Sequence, residues 1–257
     1  MKFAVQRQKK IYDIINKVGH ITIENIVADF NVSKMTAWRD LKELENRGLI
    51  SKVYGGAIKI NENTPIEVPY KERIIKNLDK KKKLAEYVAN EFIENGDILF
   101  LDGGTTVAEL LPYLKNKSVT IITNGLKTLT RASTYSDMLN VICIGGELRD
   151  NSFTFVGSIA KQFVNNFNAT KFITSGTGLS IENGIMDPDL LEMEIKQEMA
   201  RKSMKIIAMF DSSKVGKLSM TTSMLLSDID VLIIDNNIPE EFTKAIKQMG
   251  IDLRLID

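Results

Sequence analysis

Polar side chains and glycines recur directly after strand-like segments in the second half of this 257-residue chain. The stretch LDGGTTVAEL (residues 101–110) ends an apolar strand-like run with two glycines and two threonines, and a helical segment follows. Such a turn directs backbone N–H groups and the positive end of a helix dipole at one point, which suits an anion such as phosphate. Alone this signal is weak, because strand–glycine–helix turns are common in α/β folds.

Other strand-like runs end in the same residue types, in the segments TNG, GGELR, FVG, SGTG and DSSKVG. In open α/β sheets, ligands bind at the carboxyl ends of the strands. Aspartate, asparagine and threonine can bind hydroxyl groups, whereas Arg149 and Lys214 supply positive charge. Together these segments predict a site for a phosphorylated polyol. Its candidate residues are Asp102, Gly103, Gly104, Thr105, Thr106, Asn124, Gly146, Arg149, Gly157, Gly176 and Lys214.

The composition is that of an ordinary globular chain with enough apolar residues for a core. Hydrophobic residues make up 44% and charged residues 26% of the sequence, and no apolar run approaches the roughly 20 residues of a membrane-spanning helix. One histidine, His20, and one cysteine, Cys143, exclude a histidine–cysteine zinc cluster and place no Cys–His pair in the second half of the chain. A cysteine without a disulfide partner favours the reducing cytoplasm. We predict no cofactor, metal site or catalytic residue.

The net charge of +1 hides an uneven distribution. Residues 1–60 hold 11 Lys and Arg against 6 Asp and Glu, whereas residues 61–257 hold 23 against 27. A basic front end on a mildly acidic remainder indicates that the front end meets a polyanion. Charge alone does not separate this interpretation from a chance distribution.

Residues 1–60 are predicted to form three short helices and a hairpin. Apolar residues recur at helical spacing in segments 5–18, 22–30 and 33–47. Thr22 and Ser33 are candidate N-caps of the second and third helices. The strand-like runs LISKV and AIKI then flank the dipeptide Gly55–Gly56. Helix, turn, helix and hairpin are the plan of a winged helix-turn-helix domain, which reads duplex DNA.

The third helix is predicted to enter the major groove by its N-terminal end. Thr36 and Arg39 there can reach base edges and phosphates, Lys52 near the hairpin tip suits a phosphate, and glycines at the tip allow close approach. Trp38 stands beside the apolar stripe of this helix, so it either contacts DNA or packs against the core. The DNA-binding candidates are Ser33, Lys34, Met35, Thr36, Trp38, Arg39, Lys52, Tyr54, Gly55 and Gly56.

The rest of the chain predicts an α/β domain. A helix capped by Asp79 and ended by Gly96 carries the basic run Lys80–Lys83, which we interpret as a solvated helix face. From Asp97 onward, seven strand-like runs alternate with helical segments, and this pattern predicts a mainly parallel sheet covered on both faces. The predicted domains are a winged helix-turn-helix at 1–60, a proline-containing linker at 61–78 and an α/β effector domain at 79–257.

The segment VSKMTAWRDLKELENRGLISKVYGGA (residues 32–57) resembles the DNA-binding signature of the DeoR family of bacterial transcriptional regulators. The motifs GDILFLDGGTT, TNGL, GGELR, SFTFVG, ExExK (Glu192, Glu194, Lys196) and DSSKVG resemble the effector domain of the same regulators. That domain is related to the ribose-5-phosphate isomerase and CoA-transferase-like fold. The resemblance implies a sugar-phosphate pocket lined by Asp102, Gly104, Thr105, Asn124, Glu192 and Lys214.

Two functions from different classes remain open. The resemblance implies a repressor of a sugar or carbohydrate operon, not an enzyme, whose operator binding responds to a phosphorylated sugar. The alternative is an isomerase or transferase on a phosphorylated sugar with an appended DNA-binding domain, in which Glu192 and Lys214 would serve proton transfer. The basic front end favours the regulator. The expected partners are an operator duplex, a phosphorylated sugar and further copies of the chain in a dimer or tetramer, without a membrane.

Overall fold

The computed structural model describes residues 2–47, 49–53, 55–59, 67–135 and 139–257. It divides the chain into two compact units, Met1–Val68 and Pro69–Asp257. No helix within the described residues is long and apolar enough to cross a membrane.

Helices and a small antiparallel sheet make up the first unit. Its elements are α1 (Lys2–Val18), β1 (His20–Thr22), α2 (Ile23–Phe30), α3 (Lys34–Asn46), β2 (Ile50–Val53) and β3 (Gly56–Lys59). β2 and β3 form the predicted hairpin, and β1, which the sequence did not indicate, pairs with the other edge of β3. The side chains of Thr22 and Ser33 accept hydrogen bonds from the backbone N–H groups of Asn25 and Thr36, so both predicted N-caps are present.

Aliphatic side chains from the three helices form the core of the first unit. Ile11, Ile15, Ile26, Leu41 and Leu44 are almost completely buried. These residues stand on the apolar stripes that the helical spacing predicted, because one face of each helix has to leave water.

A buried carboxylate ties α3 to α1. Asp40, in the middle of α3, accepts hydrogen bonds from Arg7 Nε at 2.5 Å and from Gln8 Nε2 at 3.0 Å. The hydrogen bond with Asp40 raises the pKa of the Arg7 guanidinium above its ordinary value. The pair therefore fixes how α3, the predicted recognition helix, lies on α1.

Residues 69–78 belong to the second unit and do not form the predicted linker. They contain α4 (Tyr70–Arg73) and lead into α5 (Leu78–Phe92). Pro69 lies directly before the first turn of α4, where the fixed φ and missing N–H of proline cost little. Helix α5 begins one residue before Asp79, after Asn77 in a left-handed conformation, so Asp79 is not its cap. In the remainder of the predicted linker, residues 61–66 lie outside the described residues, and residues 67 and 68 belong to the first unit.

The described part of the second unit contains twelve strands. They are β4 (Ile98–Leu101), β5 (Val119–Thr123), β6 (Leu139–Cys143), β7 (Glu147–Arg149), β8 (Thr154–Val156), β9 (Lys171–Thr174), β10 (Gly178–Ser180), β11 (Gly184–Asp187), β12 (Ile206–Phe210), β13 (Thr221–Met224), β14 (Val231–Asp235) and β15 (Asp252–Ile256). Seven form a parallel sheet in the order β15-β14-β12-β9-β4-β5-β6, and they are the seven strand-like runs of the sequence. The hairpin β7–β8 and the antiparallel sheet β10-β11-β13 were not predicted.

Helices and loops cover both faces of the parallel sheet. Beyond α5, the helices are α6 (Leu111–Leu114), α7 (Leu126–Ala132), α8 (Gly157–Val164), α9 (Leu190–Arg201) and α10 (Glu240–Gln248). Neighbouring residues of β4 belong to different buried clusters, Leu99 and Leu101 to one and Phe100 to the other. This alternation confirms the predicted doubly covered sheet, because successive side chains of a strand point to opposite faces.

The direction in which the chain adds strands reverses between β4 and β9. From β4 it continues outward through β5 and β6, and it then returns to the other side of β4 with β9, β12, β14 and β15. β4 and β9 pair directly with each other. Loops that leave the carboxyl ends of two such strands diverge, and the crevice between them is where open α/β sheets bind ligands.

Candidate functional site

A cleft of about 610 Å³, including the part open to solvent, lies in the second unit at the carboxyl ends of β4, β9 and β12. The loops after these strands contribute Asp102–Thr106, Ser175–Thr177 and the residues Asp211, Ser213 and Lys214. The remaining walls come from α4 and the turn after it, from α5, α9 and β11, and from β8 and the loop before it. These elements contribute Arg73, Lys76, Lys81, Ser152, Thr154, Asp187, Glu192 and Lys196.

Most of the predicted ligand residues lie together in this cleft. They are Asp102, Gly103, Gly104, Thr105, Thr106, Gly176, Glu192 and Lys214. Their common position follows from the parallel sheet, which brings the carboxyl ends of neighbouring strands to one edge.

Asn124, Gly146, Arg149 and Gly157 do not line the cleft. The side-chain oxygen of Asn124 accepts a hydrogen bond from the Gly103 N–H at 3.0 Å. Asn124 therefore supports the loop after β4 without lining the cleft. Gly146 has a φ of +113°, and a Cβ there would lie 2.7 Å from the carbonyl oxygen of Val156. Gly157 begins α8. The two glycines therefore serve the fold.

Arg149 acts on the cleft through a carboxylate that faces it. Its guanidinium donates to Glu192 Oε1 at 2.8 Å and to Ser152 Oγ at 3.1 Å. Thr154 donates to the same oxygen of Glu192 at 2.6 Å. Burial alone would raise the pKa of Glu192, yet the hydrogen bonds of Ser152 and Thr154 and the charge of Arg149 lower it below its ordinary value. Glu192 is thus an ionised acceptor held in place.

A buried triad of charged residues forms the floor of the cleft. Lys196 Nζ lies 2.7 Å from Asp187 Oδ1 and 3.1 Å from Asp102 Oδ2, and it donates to the carbonyl oxygen of Ser175 at 2.7 Å. Burial would lower the pKa of Lys196, but the two carboxylates raise it above its ordinary value. Burial raises the pKa of Asp102 above its ordinary value, although the positive charge of Lys196 opposes the rise.

Four cationic side chains that line the cleft lie close enough to affect one another electrostatically. They are Arg73, Lys76, Lys81 and Lys214. Burial and the charges of neighbouring cations lower the pKa of Lys214 to about 8, against the opposing charge of Asp211. Burial and the nearby charge of Arg73 lower the pKa of Lys81 to about 8 as well. Such a cluster is costly without an anion, and an anion bound there would favour the charged state of both lysines.

The interpretation of Lys80–Lys83 as a solvated helix face was wrong for two of its members. Lys81 is 3% exposed and donates to Thr105 Oγ1 at 3.1 Å, and Lys80 pairs with Asp235 at 2.6 Å. Lys82 and Lys83 are exposed. The buried position of Lys81 could have been predicted from its helical spacing with Leu84 and Ala85, which places its side chain on the buried face.

Two polar atoms on cleft-lining residues are buried and make no hydrogen bond to any residue that the structure describes. They are Asp187 Oδ2, an acceptor, and Arg73 Nε, a donor. Buried polar groups normally have partners. An occupant of the cleft with both an anionic group and a hydroxyl donor would satisfy both.

The predicted DNA-contacting residues of α3 lie on an exposed surface. Met35 is 73% and Trp38 40% exposed, and Arg39 is exposed as well. The hydroxyl of Ser33 caps the helix and lies 3.0 Å from that of Thr36. Lys34 is exposed and approaches Glu24 only to 3.9 Å. The exposure of Trp38 favours the DNA-facing interpretation over core packing.

The predicted hairpin contacts are less accessible. Lys52 Nζ pairs with Glu45 Oε2 at 2.8 Å, so the phosphate contact proposed for Lys52 has an acidic competitor. Gly55 has a φ of +84° at the turn, but Gly56 is buried, and a Cβ there would lie 2.1 Å from the carbonyl oxygen of Ile21. Gly56 therefore allows β1 to approach β3. Tyr54 lies outside the described residues.

Comparisons with known proteins agree with both halves of this description. A family model for the DeoR-like helix-turn-helix domain matches residues 7–63, and one for the DeoR C terminal sensor domain matches residues 76–236. Solved structures add little. The ribose 5-phosphate isomerase A of Methanocaldococcus jannaschii aligns with a TM-score of 0.41 and 14% identity over 55% of this chain and 56% of its own, too weak a likeness to support a conclusion about function.

Curated relatives are similar along nearly their whole length. The HTH-type transcriptional regulator IolR of Bacillus subtilis is 33% identical over 98% of this chain and 99% of its own. The HTH-type transcriptional regulator GolR of Listeria innocua is 30% identical over 99% and 100%. The lactose phosphotransferase system repressor of Staphylococcus epidermidis is 33% identical over 90% and 92%. These relatives are regulators and not enzymes, which decides the open alternative in favour of a DNA-binding regulator. The chain belongs to the DeoR family of transcriptional regulators.

Proposed function

We propose that this regulator represses an operon of sugar or carbohydrate metabolism, and that a phosphorylated sugar bound in the cleft lowers its affinity for operator DNA. The observation that carries the proposal is the composition of the cleft. One cavity combines a group of cations with a group of held carboxylates.

The cations suit the phosphate of such a ligand. Phosphate is bound in proteins by charge-assisted hydrogen bonds from arginine and lysine. Arg73, Lys76, Lys81 and Lys214 line the cleft beside the hydroxyl of Thr105, and Arg73 Nε has a donor to spare among the described residues.

The carboxylates suit the hydroxyl groups of the sugar. Ionised carboxylates accept hydrogen bonds without donating any. Glu192 and Asp187 are held by Arg149 and Lys196 respectively, and one oxygen of Asp187 is left for a ligand donor. The name of one relative, a lactose phosphotransferase system repressor, supports a sugar-linked role.

The DNA-binding part of the proposal rests on the exposed N-terminal end of α3. A single helix-turn-helix reads only one half-site, so we propose that the chain binds its operator as a dimer or tetramer. Thr36 and Arg39 are the proposed base-reading residues, with Trp38 beside them.

A thermal-shift screen against pentose and hexose monophosphates tests the ligand class. A ligand that binds only the folded state stabilises it, by about 2.7 kcal/mol at 100 times its Kd. The sugar phosphate with the largest shift is then added to full-length protein bound to a duplex selected from a random-sequence library. We expect release of the duplex in wild type and in Lys217→Ala, whose lysine is exposed and outside the cleft. We expect no release in Lys214→Ala.

Absence of any shift at millimolar concentration across the panel would exclude this ligand class. Release of DNA by Lys214→Ala at the wild-type ligand concentration would mean that the phosphate binds elsewhere. Turnover of any panel member would reopen the enzyme alternative.

A further inference from the structure

Residues 69–81, here called the coupling segment, follow the DNA-binding unit directly in sequence and begin the unit that holds the cleft. The segment contains α4, the turn after it and the first residues of α5. It contributes Arg73, Lys76 and Lys81 to the cleft. Three of its contacts with the rest of the second unit lead to residues of the cleft, whereas Lys80 pairs with Asp235, which lies outside it.

The first contact is made by Tyr70. Its backbone N–H donates to the carbonyl oxygen of Asn151 at 2.9 Å, and its ring packs edge-on against Phe153, with 5.8 Å between the centroids. Phe153 has a positive φ of 55°, which is uncommon for an aromatic residue. It stands between Ser152 and Thr154, which both line the cleft.

The second contact is made by Lys81. Its ammonium donates to the carbonyl oxygen of Arg73 and, at 3.1 Å, to Thr105 Oγ1. One buried cation thus connects the end of α4 to the glycine–threonine turn after β4. An anion that binds this ammonium competes with the carbonyl oxygen of Arg73 for its hydrogen bonds.

The third contact is made by Asn77. Its amide nitrogen donates to Asp211 Oδ1 at 2.8 Å and to Ser213 Oγ at 3.1 Å. Both partners line the cleft beside Lys214. The backbone of Asn77 is left-handed, with a φ of 54°, so this contact holds the turn in a conformation that asparagine tolerates better than most residues.

We propose that the coupling segment reports occupancy of the cleft to the DNA-binding unit, with Arg73 and Lys81 binding the anionic group of the ligand. The proposal rests on the proposed function, because it requires an anionic ligand in the same cleft. Arg73 contributes a buried Nε that has no partner within the described residues, and its guanidinium carbon lies 5.8 Å from the centroid of the Tyr70 ring. Movement of the guanidinium toward a bound ligand therefore affects both α4 and Tyr70.

A ligand shifts such a segment only as far as its affinities for the two arrangements differ. By reciprocity, the factor by which the ligand weakens DNA binding equals the factor by which DNA weakens ligand binding. The coupling factor is therefore the ratio of the duplex Kd with saturating ligand to that without it. A residue that only supports the fold leaves this ratio unchanged.

The test uses full-length Arg73→Gln with Lys71→Gln as its matched control. Lys71 is an exposed cation on the same helix and does not line the cleft. The probes are inorganic phosphate and the sugar monophosphate that gives the largest thermal shift in wild type. Loss of a charge-assisted hydrogen bond should weaken binding of the sugar phosphate by roughly 10- to 100-fold in Arg73→Gln. Removal of an exposed charge should change it by about twofold or less in Lys71→Gln.

Two further readouts separate transmission from binding. At ligand concentrations that saturate each variant, the coupling factor should fall toward one in Arg73→Gln and stay at the wild-type value in Lys71→Gln. Hydrogen exchange of the backbone amides of residues 70–77 should slow on addition of the sugar phosphate in wild type and Lys71→Gln, but not in Arg73→Gln. Inorganic phosphate should reproduce part of this protection.

Wild-type ligand affinity in Arg73→Gln, or a wild-type coupling factor at saturation, overturns the proposal. If Arg73→Gln does not fold, Arg73→Lys replaces it, since this variant keeps the charge and lacks the Nε donor. Unchanged affinity and coupling in Arg73→Lys then overturn the proposal equally. Failure of wild type to bind any member of the panel rejects the proposed function itself, and this result is distinct from both.

Discussion

The ammonium group of Lys196 lies 2.7 Å from a carboxylate oxygen of Asp187, and both side chains are almost completely buried. Asp102 approaches the same ammonium to 3.1 Å from another strand end. A buried charge without its partner is costly. The stability of the buried triad at the floor of the cleft therefore depends on one lysine of α9.

Replacing Lys196 with methionine should destabilise the second unit by about 3–5 kcal/mol, because it leaves two buried carboxylates without a cation. The loss should be larger at pH 8 than at pH 5. Without the ammonium, the pKa of Asp102 rises further above its ordinary value in the folded state, so stability is lost as the pH rises. Urea denaturation at both pH values measures the effect. Lys161→Met, which removes the exposed pair with Glu194, should cost less than about 1 kcal/mol. An equal cost in the two variants would contradict the importance of the triad.

Arg39→Ala should weaken binding to the selected duplex by roughly 1–3 kcal/mol if Arg39 reads a base pair. The matched control is Arg47→Ala, since Arg47 lies just past the other end of α3 and pairs with Glu43. A gel-shift titration of both variants at one salt concentration measures the difference. If Arg39→Ala binds as tightly as Arg47→Ala, α3 does not read DNA with its N-terminal end.

The ion pair between Lys52 and Glu45 predicts that removing the charge of Glu45 strengthens DNA binding. Glu45→Gln should free the ammonium of Lys52 and tighten binding to all duplexes, whereas Lys52→Ala should weaken it about equally for all. The slope of log K against log salt should become shallower by up to about 0.9 in Lys52→Ala, the value for one phosphate contact. It should steepen in Glu45→Gln. Identical slopes in wild type and both variants would show that Lys52 touches no phosphate.

Trp38, the single tryptophan of the chain, is 40% exposed. Its fluorescence should change on binding of the selected duplex. Trp38→Arg should raise DNA affinity and leave the melting temperature nearly unchanged, because the new guanidinium remains in water. A large fall in melting temperature would instead mean that the indole stabilises the first unit.

Ligand binding should depend on pH through two lysines. The pKa of Lys81 and that of Lys214 are each lowered to about 8, so both lose their charge as the pH rises through that value in the empty cleft. A bound phosphate favours their charged forms. Affinity for a sugar phosphate should therefore fall, by roughly tenfold between pH 7 and pH 9.5.

Calorimetry in two buffers of different ionisation enthalpy checks the same point, because binding near pH 8 should take up protons. The uptake should be smaller in Lys214→Met and unchanged in Lys247→Met, whose lysine is exposed and outside the cleft. Affinity that stays constant from pH 7 to pH 9.5 would place the phosphate away from both lysines.

The seven strands of the parallel sheet were predictable because each is a short apolar run bounded by turn residues. The short strands β10, β11 and β13 were not, since three or four residues with few apolar positions carry no period. Asp102 and Thr105 were found because a strand end is a recognisable position. Arg73 and Asp187 were missed because only tertiary packing brings α4 and β11 to that edge. Lys81 was missed because a run of four lysines hides which one faces inward.

The residues that line the cleft lie between Arg73 and Lys214 in the sequence. The strands β4, β9 and β12, whose carboxyl ends form the cleft, come from distant parts of the chain. No contiguous fragment shorter than this span contains the site. Detaching β4, β9 or β12 from the sheet removes part of the site. Ligand should therefore protect the whole sheet at once against proteolysis, and a nick anywhere in the span that frees one strand should abolish binding completely.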